Sequence, residues 1–297
     1  MDVDGLFDTD LIRRNRLRAL AQAPDGSDFL LKIVTEELGE RLASVERSFE
    51  VAIALHAGTG TLADMLAASG KTQRVLQIEQ DPRLLTSQAA PEHQVVTGLE
   101  LLPITNQAVG LVVSPLTLHL ANDLPGILVQ INQVLHPDGL FLAALPGAGT
   151  LSELRDALLS AEEELTGGAS PRVIPLADVR DCGSLLQRAG FSLPVVDAET
   201  YTVRYDTMFE LMRDLRHMGM ANPLLARSRK PAGRRLFMRA AEIYAERYGD
   251  PDGRVRASFS VIYLSGWKPH ESQQKPLSPG SAQTSLAKAL GTREQKI

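Results

Sequence analysis

Several kinds of residue and segment that would fix a protein's class at once are scarce or absent in this sequence. One cysteine, Cys182, occurs among 297 residues, so no disulfide can form within the chain and no cysteine-based metal cluster is available. No apolar run approaches the roughly 20 residues that a membrane-spanning helix needs. Lysine and arginine (31) are fewer than aspartate and glutamate (36), and the net charge of -5 argues against a nucleic-acid partner held by bulk charge.

What is present is the composition of an ordinary globular protein. Hydrophobic residues make up 44% and charged residues 23% of the chain, so it can bury a sizeable core. The length suits one large α/β domain or two small ones. The first ten residues are acidic and lack the basic stretch and apolar run of a secretion signal. The sequence therefore predicts a cytoplasmic protein.

The hydrophobic pattern of the first half predicts a doubly wound α/β domain. Residues 11–47 read as helices, with a turn and a helix cap at 25–28 and, from Phe29 onward, apolar residues three and four apart. Short apolar runs then alternate with helical segments, and this pattern is typical of a parallel sheet covered on both faces. The predicted strands are 51–55, 75–78, 94–97, 111–113 and 140–145, with helices at 62–68 and 124–135 and a turn at 136–139.

The second half adds helices and two longer extended segments. Helices are expected at 150–164, 176–189, 207–218 and 234–248. The segments 191–205 and 255–267 are expected to form an antiparallel edge on the parallel sheet. Residues beyond about 274 are rich in Ser, Gln, Pro, Gly and Lys, and this composition predicts a largely disordered tail.

A glycine-rich loop and an acidic residue mark a candidate ligand site. The loop Leu55-His56-Ala57-Gly58-Thr59-Gly60 follows the first strand, where glycine lets the backbone approach a ligand and the next helix offers free N–H groups. Glu79 closes the second strand, nineteen residues after Gly60, where a carboxylate can bind ribose hydroxyls. An exposed charge closing the strand is the alternative. These features alone leave open a dinucleotide or S-adenosylmethionine.

A polar segment after the fourth strand faces the same crevice. His119 is a candidate general base, because imidazole titrates near neutrality, with a structural role as the alternative. Asn122 or Asp123 is expected to cap the following helix. The charges between Arg13 and Arg18 are interpreted as a solvated helix face rather than a binding surface.

The longest motif resembles a known superfamily. The segment SPLTLHLANDLPGILVQINQVLHPDGLFLAALPG, together with the glycine loop and Glu79, resembles the class I S-adenosylmethionine-dependent methyltransferases. Segments 6–20, 149–158, 185–191, 208–222 and 266–282 are similar to the branch linked to assembly of respiratory complex I. That branch also resembles the malonyl-acyl-carrier-protein methyltransferase of biotin synthesis. The resemblance implies a Rossmann-like, mostly parallel sheet of seven strands with helical caps.

The resemblance also implies domain boundaries and a cofactor site. It implies an N-terminal helical cap at 1–48, a methyltransferase-like domain at 49–268 with a helical insertion at about 207–249, and a tail at 269–297. It implies S-adenosylmethionine as cofactor, with contacts to its methionine part, ribose, adenine and sulfonium. The resemblance assigns the methionine part to Ala57, Gly58 and Gly60, and the ribose to Glu79. It assigns the adenine to Gly98 and Leu99, and the sulfonium to Ser114 and Leu116.

The chain departs from the family pattern at four positions near these residues. Members usually carry Asp where this chain has Ala54, Gly98 and Gly110, and Gly where it has His56. Each lost charge-assisted hydrogen bond weakens binding by about 1.5–3 kcal/mol when its partner is left unpaired. These losses predict that S-adenosylmethionine binds weakly, binds by other contacts or has been given up.

The resulting expectation is a methyltransferase-like protein that acts in complex I assembly or on a complex I subunit. The resemblance implies a protein acceptor, peripheral contact with a membrane complex, and, as a different chemistry, arginine hydroxylation. No His/His/carboxylate cluster for iron is recognisable, and no metal site is predicted. Two alternatives stay open: a non-catalytic assembly chaperone with a degenerate site, and a malonyl-acyl-carrier-protein methyltransferase. The latter would use a basic docking region, for which a solvated helix face is the alternative. The region is formed by Arg213, Arg216, Arg227, Arg229, Lys230, Arg234 and Arg235.

Overall fold

The computed structural model describes residues 5–90, 92–168 and 170–274. Helices α1 to α8 are, in order, Thr9–Gln22, Phe29–Ala43, Thr61–Ala68, Leu124–Val134, Ser152–Thr166, Val179–Arg188, Met208–His217 and Arg234–Tyr248. Strands β1 to β7 are, in order, Phe49–Leu55, Thr72–Glu79, Gln94–Val96, Val109–Pro115, Leu135–Pro146, Ser192–Tyr205 and Val255–Trp267. The predicted disordered tail beyond residue 274 lies outside the described residues.

The seven strands form one sheet in the order β3-β2-β1-β4-β5-β7-β6. Strands β1 to β5 pair in parallel, while β7 runs antiparallel to both β5 and β6. The predicted fold class and antiparallel edge are therefore confirmed. Strands β1 and β4 are neighbours although two strands separate them in sequence, so the chain order reverses between them. A ligand crevice is expected at the carboxyl ends of these two strands.

Two hydrophobic cores cover the two faces of the sheet. Successive side chains of a strand point to opposite faces, so Ala52 and Ala54 of β1 enter one core while Ile53 and Leu55 enter the other. All four are fully buried. Because both faces are covered, the central strands read as continuous apolar runs in the sequence.

The N-terminal and C-terminal helices share the first of these cores. Helix α2 contributes Leu30, Val34, Leu38 and Leu42, and α7 and α8 contribute apolar side chains to the same core. The predicted cap insertion thus packs against the same face of the sheet as α2. The domain boundaries themselves remain predictions.

The helix ends follow their capping residues, with some differences from prediction. Asp123 caps α4 by accepting from the Gly126 N–H at 2.8 Å, as expected. Asn122 instead bonds the Phe7 backbone and ties down the N-terminal segment. Asp28 makes no cap bond to α2 and pairs with Lys32 at 2.9 Å. Helix α6 begins at Val179, three residues later than predicted, because Asp178 caps it there.

The sequence predicts that residues 136–139 form a turn that precedes the fifth strand, and this prediction is wrong. In the structure these residues belong to β5, which starts at Leu135. The register with β4 shifts there, and Asp138 takes a left-handed φ of +67°. The segment is therefore a bulge within β5, because pairing with β4 resumes on both sides of it.

No helix among the described residues is long and apolar enough to cross a membrane.

Candidate functional site

A cavity of about 600 Å³ opens where the sheet reverses its strand order. Among its lining residues are 57–59 after β1, 115–117, 119 and 120 from the end of β4 onward, part of α1, and 217–223 from the end of α7 onward. Helix α1 lies over the carboxyl ends of the strands and forms one wall. The predicted residues Ala57, Gly58, Leu116 and His119 all line this cavity.

The glycine loop is held in its shape by its own hydrogen bonds. Gly58 lines the cavity and takes a φ of +76°. Glycine adopts this φ without the steric strain that a Cβ would cause. Its N–H donates to Glu79 Oε1 at 2.6 Å, and the Gly60 N–H donates to Thr86 Oγ1 at 2.7 Å. The Thr61 N–H donates to Thr59 Oγ1 at 3.4 Å. These three donors are therefore already paired within the protein, and the prediction that the N-terminus of the next helix offers free N–H groups to a ligand stays a prediction.

Gly60 is required for packing rather than for open space. A Cβ on Gly60 would lie 2.5 Å from the backbone N and Cα atoms of Ser87. The loop therefore crosses the segment after β2 at a distance that only glycine permits. Gly60 does not line the cavity, and its predicted cofactor contact remains a prediction.

Glu79 is buried at the centre of the site. It is 0% exposed, so it is not a solvated charge closing a strand. One carboxylate oxygen accepts from Gly58, and the other, Oε2, is shielded and has no hydrogen-bond partner. Burial raises its pKa to about 7, opposed by the positive charge of Arg16 and by backbone N–H donors of the loop. Glu79 lines neither cavity, but its free carboxylate oxygen is chemically suited to accept from a ligand hydroxyl.

Arg16 of α1 enters the same site, although the sequence placed it on a solvated face. Its Nη2 donates to Thr117 Oγ1, which in turn donates to the His56 carbonyl. Its Nη1 is shielded and has no partner. Burial lowers the pKa of the guanidinium, and the negative charge of Glu79 opposes this shift.

The solvated-face interpretation is therefore wrong for Arg16. Buried Ile12 lies four residues before it, so a helix places both side chains on one face. The apolar residue Ile12 is the signal in the sequence from which the buried position of Arg16 could have been predicted.

Two histidines of the site are held neutral. His56 has φ +52°, in the left-handed region that the glycine usual in the resembling family adopts freely. Desolvation, reinforced by the positive charge of Arg16, lowers the pKa of both His56 and His119 to about 3. The predicted role of His119 as a base remains a prediction, and this environment opposes it, because so acidic an imidazolium marks a weak base.

A second, smaller cavity lies on the other side of α1. It has a volume of about 400 Å³ and is lined by Gly98, Leu99 and Gln80, with Arg13 of α1 at its edge. Space around Gly98 is open, since a Cβ there would meet no atom within 4 Å. The predicted adenine-contacting residues are thus brought together, next to Glu79 and away from the larger cavity.

The three positions at which family members usually carry Asp do not all lie near this site. Gly110 lies at the amino end of β4, and a Cβ there would approach the Phe49 ring at 3.0 Å. The expectation of a lost acid around the site is therefore wrong for Gly110. Ala54 is fully buried in β1, paired with Gln77 and Val113. Only Gly98 opens directly into a cavity.

Shielded polar atoms without partners concentrate at this one place. Ser114, at the end of β4, is fully buried and its Oγ has no partner. In the described part of the chain, seven of the nine shielded side-chain atoms without a partner lie at or just after the carboxyl ends of β1, β2 and β4 or on α1. They are Arg16 Nη1, His56 Nδ1 and Nε2, Glu79 Oε2, Gln80 Oε1, Ser114 Oγ and His119 Nδ1. Across the described ranges, no group of three or more His, Cys, Asp or Glu side chains could hold a metal ion.

Comparison with known proteins gives the family. A model described as "Methyltransferase domain" matches residues 54–143. The human protein "Arginine-hydroxylase NDUFAF5, mitochondrial" is 39% identical, over 95% of this chain and 82% of its own length. The chain belongs to the NDUFAF5 family. The zebrafish NDUFAF5 is 38% identical, over 95% of this chain and 88% of its own length.

More distant similarities agree with this family. The "Malonyl-[acyl-carrier protein] O-methyltransferase" of Xylella fastidiosa is 32% identical, over 90% of both chains. A candidate methyltransferase of Bacillus halodurans is 17% identical with a TM-score of 0.55, over 80% of this chain and 99% of that one. The latter likeness shows the fold alone. The predicted resemblance of this NDUFAF5-family chain to class I methyltransferases is confirmed.

Proposed function

We propose that this chain binds S-adenosylmethionine across the two cavities and acts as a methyltransferase-like protein in the assembly of respiratory complex I. One observation carries the proposed binding: seven shielded, partnerless polar atoms at the carboxyl ends of β1, β2 and β4 and on α1. A buried polar atom without a partner costs about 1–3 kcal/mol. Such a concentration is typical of a binding site whose polar partners come from a ligand.

The residues present fit this cofactor. Glu79 Oε2 is an acceptor suited to the ribose hydroxyls, and the open space beside Gly98 and Leu99 suits a flat base. Gly58 keeps the backbone open where the larger cavity begins. When bound, S-adenosylmethionine supplies an electrophilic methyl group. The chain's own residues would bind and orient it, and positioning is the main contribution such a site can make.

The larger cavity extends beyond the glycine loop and leaves room for an acceptor. Residues 24–28 and 217–223 form part of its wall. We propose that the acceptor is a side chain of a protein, which is consistent with the NDUFAF5 relatives named as arginine hydroxylases. The proposed location remains the cytoplasm, while those relatives are named mitochondrial.

Calorimetric titration with S-adenosylmethionine and S-adenosylhomocysteine tests the binding. Micromolar dissociation constants are expected for the unmodified chain. The variant Glu79→Gln should bind about tenfold or more weakly, since its side-chain amide offers one acceptor oxygen where the carboxylate offers two. Glu92→Gln, which changes an exposed acid, is the matched control and should bind as the unmodified chain does. Absence of binding at millimolar cofactor would contradict the proposal and favour the non-catalytic assembly chaperone.

One observation favours a second candidate, a malonyl-acyl-carrier-protein methyltransferase. Within the described chain, five members of the predicted basic docking region are exposed and form no salt bridge, whereas Arg213 and Arg227 pair with Glu210 and Asp8. The five are Arg216, Arg229, Lys230, Arg234 and Arg235. Such a surface suits an acidic carrier. A pull-down with acyl carrier protein and with complex I subunits separates the two candidates, since each predicts capture of a different partner.

A further inference from the structure

We infer that Arg16 binds the α-carboxylate of S-adenosylmethionine and thereby makes the site selective for adenosyl ligands that carry this group. The inference rests on the proposed function and adds a binding residue on α1. It is based on the position of Arg16, which lies between the loops after β1 and β4, where the strand order reverses. Thr117 fixes it there by accepting from Nη2 and donating to the His56 carbonyl at 2.5 Å.

The glycine loop leaves an anionic group in need of another donor. The N–H groups of Gly58, Gly60 and Thr61 already donate to Glu79, Thr86 and Thr59. A carboxylate at the loop therefore cannot rely on these backbone donors. Arg16 Nη1 is a shielded, unused donor that carries positive charge and lies beside the loop. A guanidinium fork is well matched to a carboxylate.

Residues of the chain do not supply the counter-ion that Arg16 requires. Among the described residues, no carboxylate lies within 4 Å of its guanidinium, although Glu79 is near enough to influence its pKa. Glu79 instead directs one oxygen at the Gly58 N–H. A shielded guanidinium without an ion pair is costly, and a ligand carboxylate would remove that cost.

The other lysine and arginine side chains on the cavity wall are paired with carboxylates. Lys32 pairs with Asp28 at 2.9 Å, and Arg172 pairs with Glu162 at 2.7 Å. Arg16, by contrast, is hydrogen-bonded to Thr117 in the loop after β4. Arg16 is therefore the cation positioned to receive the negatively charged end of the ligand.

The test compares S-adenosylmethionine with its decarboxylated analogue, which differs only in the α-carboxylate. Dissociation constants are measured by calorimetry for the unmodified chain, Arg16→Gln and Arg16→Lys. The unmodified chain should prefer S-adenosylmethionine by about tenfold or more. Arg16→Gln should lose this preference by weakening S-adenosylmethionine alone, and Arg16→Lys should keep part of it. Arg18→Gln, on the exposed face of the same helix, is the control and should keep it all.

Each other outcome overturns the inference in a distinguishable way. Equal weakening of both ligands in a folded Arg16→Gln variant would assign Arg16 a structural role. Tighter binding of both ligands would show that the guanidinium obstructs the nucleoside cleft. An unmodified chain that binds both ligands equally would contradict the inference while keeping the proposed function. An unmodified chain that binds neither ligand would overturn the proposed function itself.

Discussion

At the scale of single residues, the site combines one buried acid, one shielded guanidinium and two neutral histidines. Desolvation and the positive charge of Arg16 both disfavour an imidazolium, which explains the lowered pKa of His56 and His119. A histidine whose pKa is lower in the folded than in the unfolded state stabilises the fold above pH 6.5. This stability is lost as the pH falls from 6.5 towards 3. Acidification should therefore destabilise the protein through these two side chains.

The first prediction concerns His119→Asn, which removes one of these titrating groups. Between pH 7 and pH 5 the unmodified chain should lose about 2 kcal/mol of unfolding free energy through His119 alone. The variant should therefore lose about 2 kcal/mol less than the unmodified chain over the same interval. Urea unfolding at both pH values measures this difference, with the exposed His93→Asn as control. An equal pH dependence of variant and unmodified chain would show that His119 is protonated as easily in the folded state.

At the scale of elements, close backbone contact and helix caps set the shape of the crevice. The loop after β1 rests on the segment after β2 at Gly60, and α4 starts where Asp123 accepts from Gly126. Both features lie within a few residues of the binding loops. Their loss should be visible in stability before it is visible in chemistry.

The second prediction is that Gly60→Ala destabilises the fold by about 1–3 kcal/mol, because the new Cβ would overlap the Ser87 backbone. Backbone atoms cannot move aside as a flexible side chain can. Gly168→Ala is the matched control, since a Cβ there meets nothing within 4 Å. Thermal or urea unfolding compares the two. A Gly60→Ala variant as stable as the control would show that the two loops separate without cost.

The third prediction separates the cap of α4 from the charge of its residue. Asp123→Ala should destabilise the protein by about 1 kcal/mol, because the Gly126 N–H loses its acceptor. Asp123→Asn keeps a side-chain oxygen and should cost only a few tenths of that value. Urea unfolding of the two variants gives the comparison. Equal losses would mean that charge, rather than the cap bond, is what α4 requires.

At the scale of the whole molecule, α1 forms hydrogen bonds with three segments that are far apart in sequence. Arg13 binds Asp81 after β2, Asn15 binds the Ala221 carbonyl after α7, and Arg16 binds Thr117 after β4. The helix therefore lies across both cavities. A ligand that fills them should stabilise α1 as well as the strands.

The fourth prediction is a ligand-dependent change in stability and hydrogen exchange. S-adenosylhomocysteine at 100 times its dissociation constant should stabilise the fold by about 2.7 kcal/mol and raise the Tm by roughly 4–5 °C. Amides of α1 should become more protected from exchange. Amides of α6, which packs in the second core and lines neither cavity, are the internal control. Unchanged protection of α1 despite a raised Tm would show that the helix is no part of the binding site.

Much of this architecture could be read from the residues. The strands were predictable because burial on both faces leaves an uninterrupted apolar run, as in residues 51–55 and 111–113. The candidate loop and Glu79 were predictable because glycine and an acid recur at the ends of such strands. Helix α4 was predictable from its apolar spacing and from Asp123.

Other features were decided only by the tertiary structure. The bulge at 136–139 depends on pairing with β4, and the need for glycine at position 60 depends on the Ser87 backbone. Arg16 looked like one solvated charge among several until α1 was seen to lie over the strand ends. The spacing of apolar residues in a sequence reflects which faces of a helix or strand are buried, since the same face recurs at a fixed period along the element. Which donors remain unpaired in a crevice depends on residues that folding brings together from distant parts of the chain.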